Sequence, residues 1–266
     1  MKSFGKRGFL LSLLISFFLI VANQLYALDL TIACENKADF PSITGNSDEV
    51  LKEKPGMSVE AVRLLEKKLN IKITIERLPW KRCLYELEQG KVDGVFTASF
   101  KEERKQFGRF PEKNGQVDVS RRFTSASYAL YRLKGTAVSF DGTDFHNITG
   151  NVGAPSGYSI VDDLKKKGLS IDEGPSTEKD LMKLVAGRLQ GVAALEMTGD
   201  FYLSTRKELG QKIEKVLPLI VMKPYYFMLS HQLYKRDPQL AEKIFDTLAE
   251  IREDPDFKKG LEKYLE

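Results

Sequence analysis

Between Leu28 and Arg104 the chain alternates strand and helix patterns, and few architectures accept that order. Leu30, Ile32 and Cys34 alternate with polar or small residues as a first strand. Ser58 is placed to cap a helix whose Ala61, Leu64, Leu65 and Leu69 share one face, with Asn70 at its end. Ile71, Ile73 and Ile75 alternate with Lys72, Thr74 and Glu76 as a second strand. Pro79 to Gln89 then reads as a short helix closed by Gly90, Val92 to Phe96 as a buried third strand, and the Arg104 segment as a new helix. A β-α-β-α-β order predicts a parallel-sheet unit and an α/β fold.

The rest of the chain repeats the theme. Ser120 to Leu133 is extended, and Asn151 to Ala154 is a short strand. Gly157-Tyr158-Ser159 enters a helix through Leu164, Leu169 to Ile171 is strand-like, Ser176 to Gly187 is helical, and Val192 to Leu195 is a buried strand. A second α/β lobe is expected there. After an extended Tyr225 to Ser230, Asp237-Pro238 and Asp254-Pro255 each supply a cap followed by proline at the first helical position. Glu35 to Gly56, with Pro41, Gly45 and Pro55, is a long loop at a strand end, the usual place for a ligand-facing segment.

The N-terminus stands apart. Lys2, Lys6 and Arg7 precede an apolar run from Phe9 to Ala22, and Leu25-Tyr26-Ala27 offers a small residue at a cut position. Residues 1–27 are read as a secretory signal peptide, with an apolar run too short to favour a retained span. The three cations and no acid of that segment would take the formal charge from +4 to +1, a balance that suggests no nucleic-acid partner. A soluble periplasmic protein is expected. In an oxidising compartment Cys34 and Cys83 are candidates for a disulfide, since Cys34 ends the first strand and Cys83 opens the helix after the second. The bridge would contribute roughly 3–4 kcal/mol; two buried thiols are the other reading. His146 and His231 lack the spacing of a metal site. With neither a phosphate loop nor a Gly-x-Ser-x-Gly, no cofactor or metal is expected.

The strand ending in Thr97 and Ser99, with Arg104 five residues beyond, gathers hydroxyls, free helical N–H groups and a guanidinium. Those are the donors a bound carboxylate needs. The plainer reading of Arg104 is a solvated arginine paired with Glu102, Glu103 or Asp93.

Pro79-Trp80-Lys81-Arg82-Cys83, Gly90-Lys91-Val92-Asp93-Gly94-Val95, Thr97-x-Ser99, Glu103-Arg104, Gly153-x-x-x-Gly157-Tyr158-Ser159 and Leu184-x-x-Gly187-Arg188 together resemble the family 3 extracellular solute-binding proteins. These are periplasmic proteins of the polar-amino-acid-binding type that feed ABC importers. The resemblance implies a type 2 periplasmic-binding-protein fold, two α/β lobes joined by two crossing strands. Residues 28–128 with 226–266 would form lobe one, and residues 129–225 lobe two. It further implies that Arg104 clamps an α-carboxylate beside Thr97 and Ser99, that Ser159 closes on it from lobe two, and that Trp80, Phe40 and Tyr158 wall the cleft. Lys101 stands where many members have threonine, and Leu195 where many place an acid for the ligand's ammonium, with Glu196 one step late. The function implied is non-catalytic capture of a small carboxylate-bearing solute, such as an amino acid, by a monomer that delivers it to an ABC permease. The alternatives are a periplasmic dehydratase using Glu196 as general acid, or a module presenting its ligand to a membrane sensor.

Overall fold

Side chains of a strand point alternately to opposite faces, so a strand apolar on both faces must be covered twice. In the computed structural model, which describes residues 28–264, β1 (Asp29–Glu35) meets this condition. α1 (Met57–Leu69) crosses over to β2 (Lys72–Leu78), which pairs with β1 in parallel along its whole length, Ile32 opposite Ile75. α2 (Trp80–Glu88) leads to β3 (Gly94–Ser99), parallel to β1 on its other side. Leu30, Ile32 and Phe96 pack with Val62 and Leu65 of α1 on one face, while Ala33 and Val95 pack with Trp80, Cys83 and Leu87 of α2 on the other. Asp93, in the turn just before β3, braces β1, its Oδ2 accepting the Thr31 N–H at 2.9 Å. The expected signal peptide, residues 1–27, lies outside the described residues.

Three local expectations are corrected. Ser58 does not cap α1: Gly56 holds that position at φ +115°, a backbone region that L side chains rarely enter, and the Ser58 hydroxyl shares a 2.6 Å hydrogen bond with that of Ser42. The Arg104 segment is a single 3-10 turn, Glu102–Gln106. Cys34 and Cys83 do meet, yet as free buried thiols: Cys83 Sγ lies 3.3 Å from the Cys34 carbonyl and 3.5 Å from that of Leu78, directed at backbone oxygens and not at the partner sulfur.

A hairpin of β4 (Glu112–Lys113) and β5 (Gln116–Val117) precedes the long β6 (Thr124–Leu133). Beyond it come the hairpin of β7 (Ser139–Phe140) and β8 (Phe145–His146), β9 (Val152–Pro155), α3 (Ser159–Lys166), β10 (Ile171–Gly174), α4 (Thr177–Val185) and β11 (Gly191–Leu195). Strands β9, β10 and β11 are parallel, with Ile160 and Leu164 of α3 on one face and Leu181 and Leu184 of α4 on the other. Helices α5 (Glu196–Thr205) and α6 (Lys207–Lys212) lead into β12 (Ile213–Leu229).

One eight-stranded sheet, ordered β10-β9-β11-β6-β12-β3-β1-β2, therefore runs through both lobes. β12 pairs antiparallel with β6 from Ile213 to Tyr225 and with β3 from Tyr225 to Leu229. The sequence pattern predicts only its last stretch, because a register slip between Val216 and Val221 and the intervening Pro218 break the alternation of the first. The end of the chain is as its caps predict. In α8 (Pro238–Glu253), which follows α7 (His231–Arg236), Asp237 Oδ1 accepts the Leu240 N–H at 2.9 Å; Asp254 does the same for α9 (Pro255–Gly260). Ile244, Phe245, Leu248 and Ile251 then complete the core over α1. Among the described residues no helix is long and apolar enough to cross a membrane.

Candidate interlobe binding site

The carboxyl ends of β1, β3 and β9 point into a cleft floored by β6 and β12, the place where open α/β sheets leave a crevice. Arg104 is its central cation. Only 5% exposed, it donates from Nη1 to the Ser99 carbonyl (2.6 Å) and hydroxyl (2.7 Å), and from Nη2 to the Gly157 carbonyl of the other lobe (2.9 Å). The Trp80 ring lies 5.5 Å from the guanidinium carbon. Three of the five N–H donors of Arg104 thus meet protein oxygens, and two are left for a ligand. Thr97 sits at φ +63°, unusual for a β-branched residue, with its hydroxyl on the Phe96 carbonyl.

From lobe two, Ser159 is fully buried and its Oγ accepts Lys223 Nζ at 3.1 Å. The Tyr158 hydroxyl donates to Glu35 Oε2 across the cleft at 2.5 Å. Thr198 Oγ1 donates to Asp39 Oδ1 at 2.7 Å, and the Phe40 ring stacks on Phe201 at 4.3 Å between centroids. Lys101 pairs with Asp162, and Lys81 with Glu173 at 3.6 Å. The two lobes are therefore clasped in a closed arrangement.

Glu35, Asp39, Trp80, Thr97, Ser99, Arg104, Tyr158 and Ser159 all line one narrow cavity of about 20 Å³. It adjoins a larger one of about 210 Å³, walled by Phe40 and Pro41, β6, and the start of α5. Asp39, Thr97, Leu195 and Tyr225 border both. Glu196 edges the larger cavity, and its Oε1 accepts Lys215 Nζ at 2.8 Å, an ammonium that Asp200 Oδ2 also accepts at 2.6 Å. Burial raises the Asp39 carboxyl to about 6 and that of Glu35 to about 7, each partly offset by its hydroxyl donor.

Glu35, Asp39, Thr198 and the Tyr128–Tyr225 hydroxyl pair (2.9 Å) were not foreseen as site residues. The one signal for the acids was the long segment from Glu35 to Gly56: Asp39 stands on it, and Glu35, the last residue of β1, leads into it. Thr198 and the tyrosines come from elements whose cleft-facing side only the tertiary packing defines.

A family model of the bacterial extracellular solute-binding proteins, family 3, matches residues 37–266. The chain belongs to that family. Among solved structures, this solute-binding protein is similar to a histidine kinase sensor domain with similarity to periplasmic binding proteins, at 15% identity and a TM-score of 0.70 over 89% of this chain and 96% of that one. It is also similar to an ancestral arginine-binding protein bound to arginine (20%, 0.67, 90% and 98%). A third is an ancestral amino acid-binding protein described as a precursor of cyclohexadienyl dehydratase (16%, 0.66, 90% and 96%). At such identities the likeness establishes the fold, the type 2 periplasmic-binding-protein fold. A search of curated proteins found no match.

Proposed function

We propose that this solute-binding protein captures a small carboxylate-bearing solute, an amino acid or a close relative, in the interlobe cleft of the periplasm and delivers it to an ABC importer. The observation that carries the reading is Arg104, a buried guanidinium bonded to Ser99 of one lobe and Gly157 of the other with two donors to spare. A carboxylate would take those two donors, with Thr97, Ser99 and Ser159 supplying further polar contact and Trp80, Phe40 and Tyr158 the walls. The lobes in this reading are residues 28–128 with 226–266, and residues 129–225, in a monomer.

Titration calorimetry of the full chain against amino acids and small carboxylic acids tests this. Arg104→Ala is expected to weaken the bound carboxylate at least 100-fold, and an unchanged affinity would overturn the assignment. A second reading, dehydration of a carboxylated cyclohexadienyl compound, is favoured by one observation: Glu35 and Asp39 are carboxyls whose pKa values burial brings close to neutrality. Glu196, expected as the acid, is less suited while Lys215 holds it. Product release from such a substrate, abolished in Glu35→Gln or Asp39→Asn, would establish turnover; stoichiometric binding without product would exclude it.

A further inference from the structure

Asp39 stands where the narrow cavity under Arg104 opens into the 210 Å³ chamber. It is 8% exposed, and among the described residues its carboxylate makes no ion pair. Its one side-chain partner is the neutral hydroxyl of Thr198 on Oδ1. A buried carboxylate without a cation is unfavourable, and the structure relieves the other acids of this region differently. Glu196 has Lys215, and Glu35 accepts from Tyr158 with Lys37 and Arg77 near enough to act on it. Asp39 alone borders both cavities with a charge that the protein does not match.

The chamber beyond is of a different character. Phe40, Met57 and Leu195 give it apolar walls, and Ser42, Thr124 and Ser127 give it hydroxyls. The one other carboxylate on its lining, Glu196, shares the ammonium of Lys215 with Asp200. At about 210 Å³ it exceeds the roughly 150 Å³ cavity that admits benzene.

We infer that the solute is a zwitterion whose carboxylate lies on Arg104, whose ammonium lies on Asp39, and whose uncharged side chain fills the 210 Å³ chamber. The ammonium site is thus supplied by the lobe-one loop after β1, and neither Leu195 nor Glu196 of lobe two provides it. This rests on the proposed carboxylate reading and adds to it the amine contact and the class of side chain. An anionic side chain would meet a lining that holds no cation, and a cationic one would have to compete with Lys215 for Glu196.

The test is titration calorimetry of the full chain with L-leucine, L-methionine and L-glutamine, with their deaminated counterparts 4-methylpentanoate, 4-(methylthio)butanoate and 4-carbamoylbutanoate, and with L-lysine and L-glutamate. The expected result is that at least one neutral amino acid binds, that its deaminated counterpart is at least 100-fold weaker, and that lysine and glutamate are at least 30-fold weaker. In Asp39→Asn the amino acid should lose about 100-fold while the deaminated acid changes little. The wild-type comparison needs no variant, so a failure of Asp39→Asn to fold leaves the test intact. A deaminated acid that equals its amino acid and still weakens in Arg104→Ala overturns this inference and leaves the carboxylate reading standing. Binding that needs the ammonium and Asp39 but is indifferent to Arg104→Ala keeps the Asp39 contact and overturns the carboxylate reading. Preference for lysine or glutamate, or no binding by any of these compounds, overturns the inference.

Discussion

Two carboxyls at the cleft tie its chemistry to the stability of the whole chain. The ordinary values of Glu35 and Asp39, 4.5 and 3.8, rise to about 7 and about 6 in the native state, so over that interval the folded chain holds more protons than the unfolded one. Their favourable contribution is complete below about pH 4 and is lost as pH rises through 6 to 7, on the order of 3 kcal/mol for each group. Asp180, buried in lobe two and raised to about 7, acts in the same sense. The ligand-free protein should therefore melt at a lower temperature at pH 8 than at pH 5, and Asp39→Asn should flatten part of that slope. A melting temperature that climbs between those pH values would contradict the burial of these groups. The cysteines give a second check. Burial pushes the Cys34 thiol up to about 12 and raises that of Cys83 as well, so neither should react with iodoacetamide until the chain is unfolded. Failure to react even then, without reductant, would indicate a disulfide. Arg104, Thr97 and Ser99 were legible in the sequence as neighbours on a strand end, because a strand and the turn after it are local. The positions of Asp39 and Thr198 were not, since their meeting joins residues 159 apart in the chain.

At the level of elements, legibility followed the strength of local signals. The three strands of lobe one and the proline-marked helices at the end stand close to where periodicity and caps put them. Asp237→Ala removes the acceptor for the Leu240 N–H and should cost about 1 kcal/mol, a fall of roughly 2–4 °C in melting temperature in a thermal scan. No change there would mean that Pro238 alone fixes the start of α8. β12 illustrates the opposite case. Its segment from Ile213 to Pro224 is half exposed, carries two lysines and two prolines, and slips register against β6, so period-2 alternation never shows. The short β7–β8 hairpin is hidden for a related reason, being too brief for a pattern. What places β12 at the centre of the sheet is pairing with strands on both sides, which no window of sequence contains.

For the whole molecule, closure rests on a few contacts between lobes: Arg104 to Gly157, Tyr158 to Glu35, Thr198 to Asp39, and the pairs of Lys101 and Lys81 with acids of lobe two. Removing the Tyr158 hydroxyl takes away a donor to a buried carboxyl and should shift the ligand-free population towards an open form. Small-angle scattering of Tyr158→Phe should then give a larger radius of gyration than the parent chain, with the difference removed by saturating ligand. Identical curves would deny this contact a part in closure. The central place of β12 also bears on assembly. A chain made from its N-terminus yields β1, β2 and β3 early, yet β3 lacks its neighbour until residue 229 has emerged, and α1 lacks Phe245 and Leu248 until later still. The half of the sheet built on β1, β2 and β3 can only finish folding after synthesis is almost complete, whereas β9, β10 and β11 follow one another closely in the chain and are in hand sooner. The nascent protein is thereby kept unfinished for nearly the whole time that it is being made.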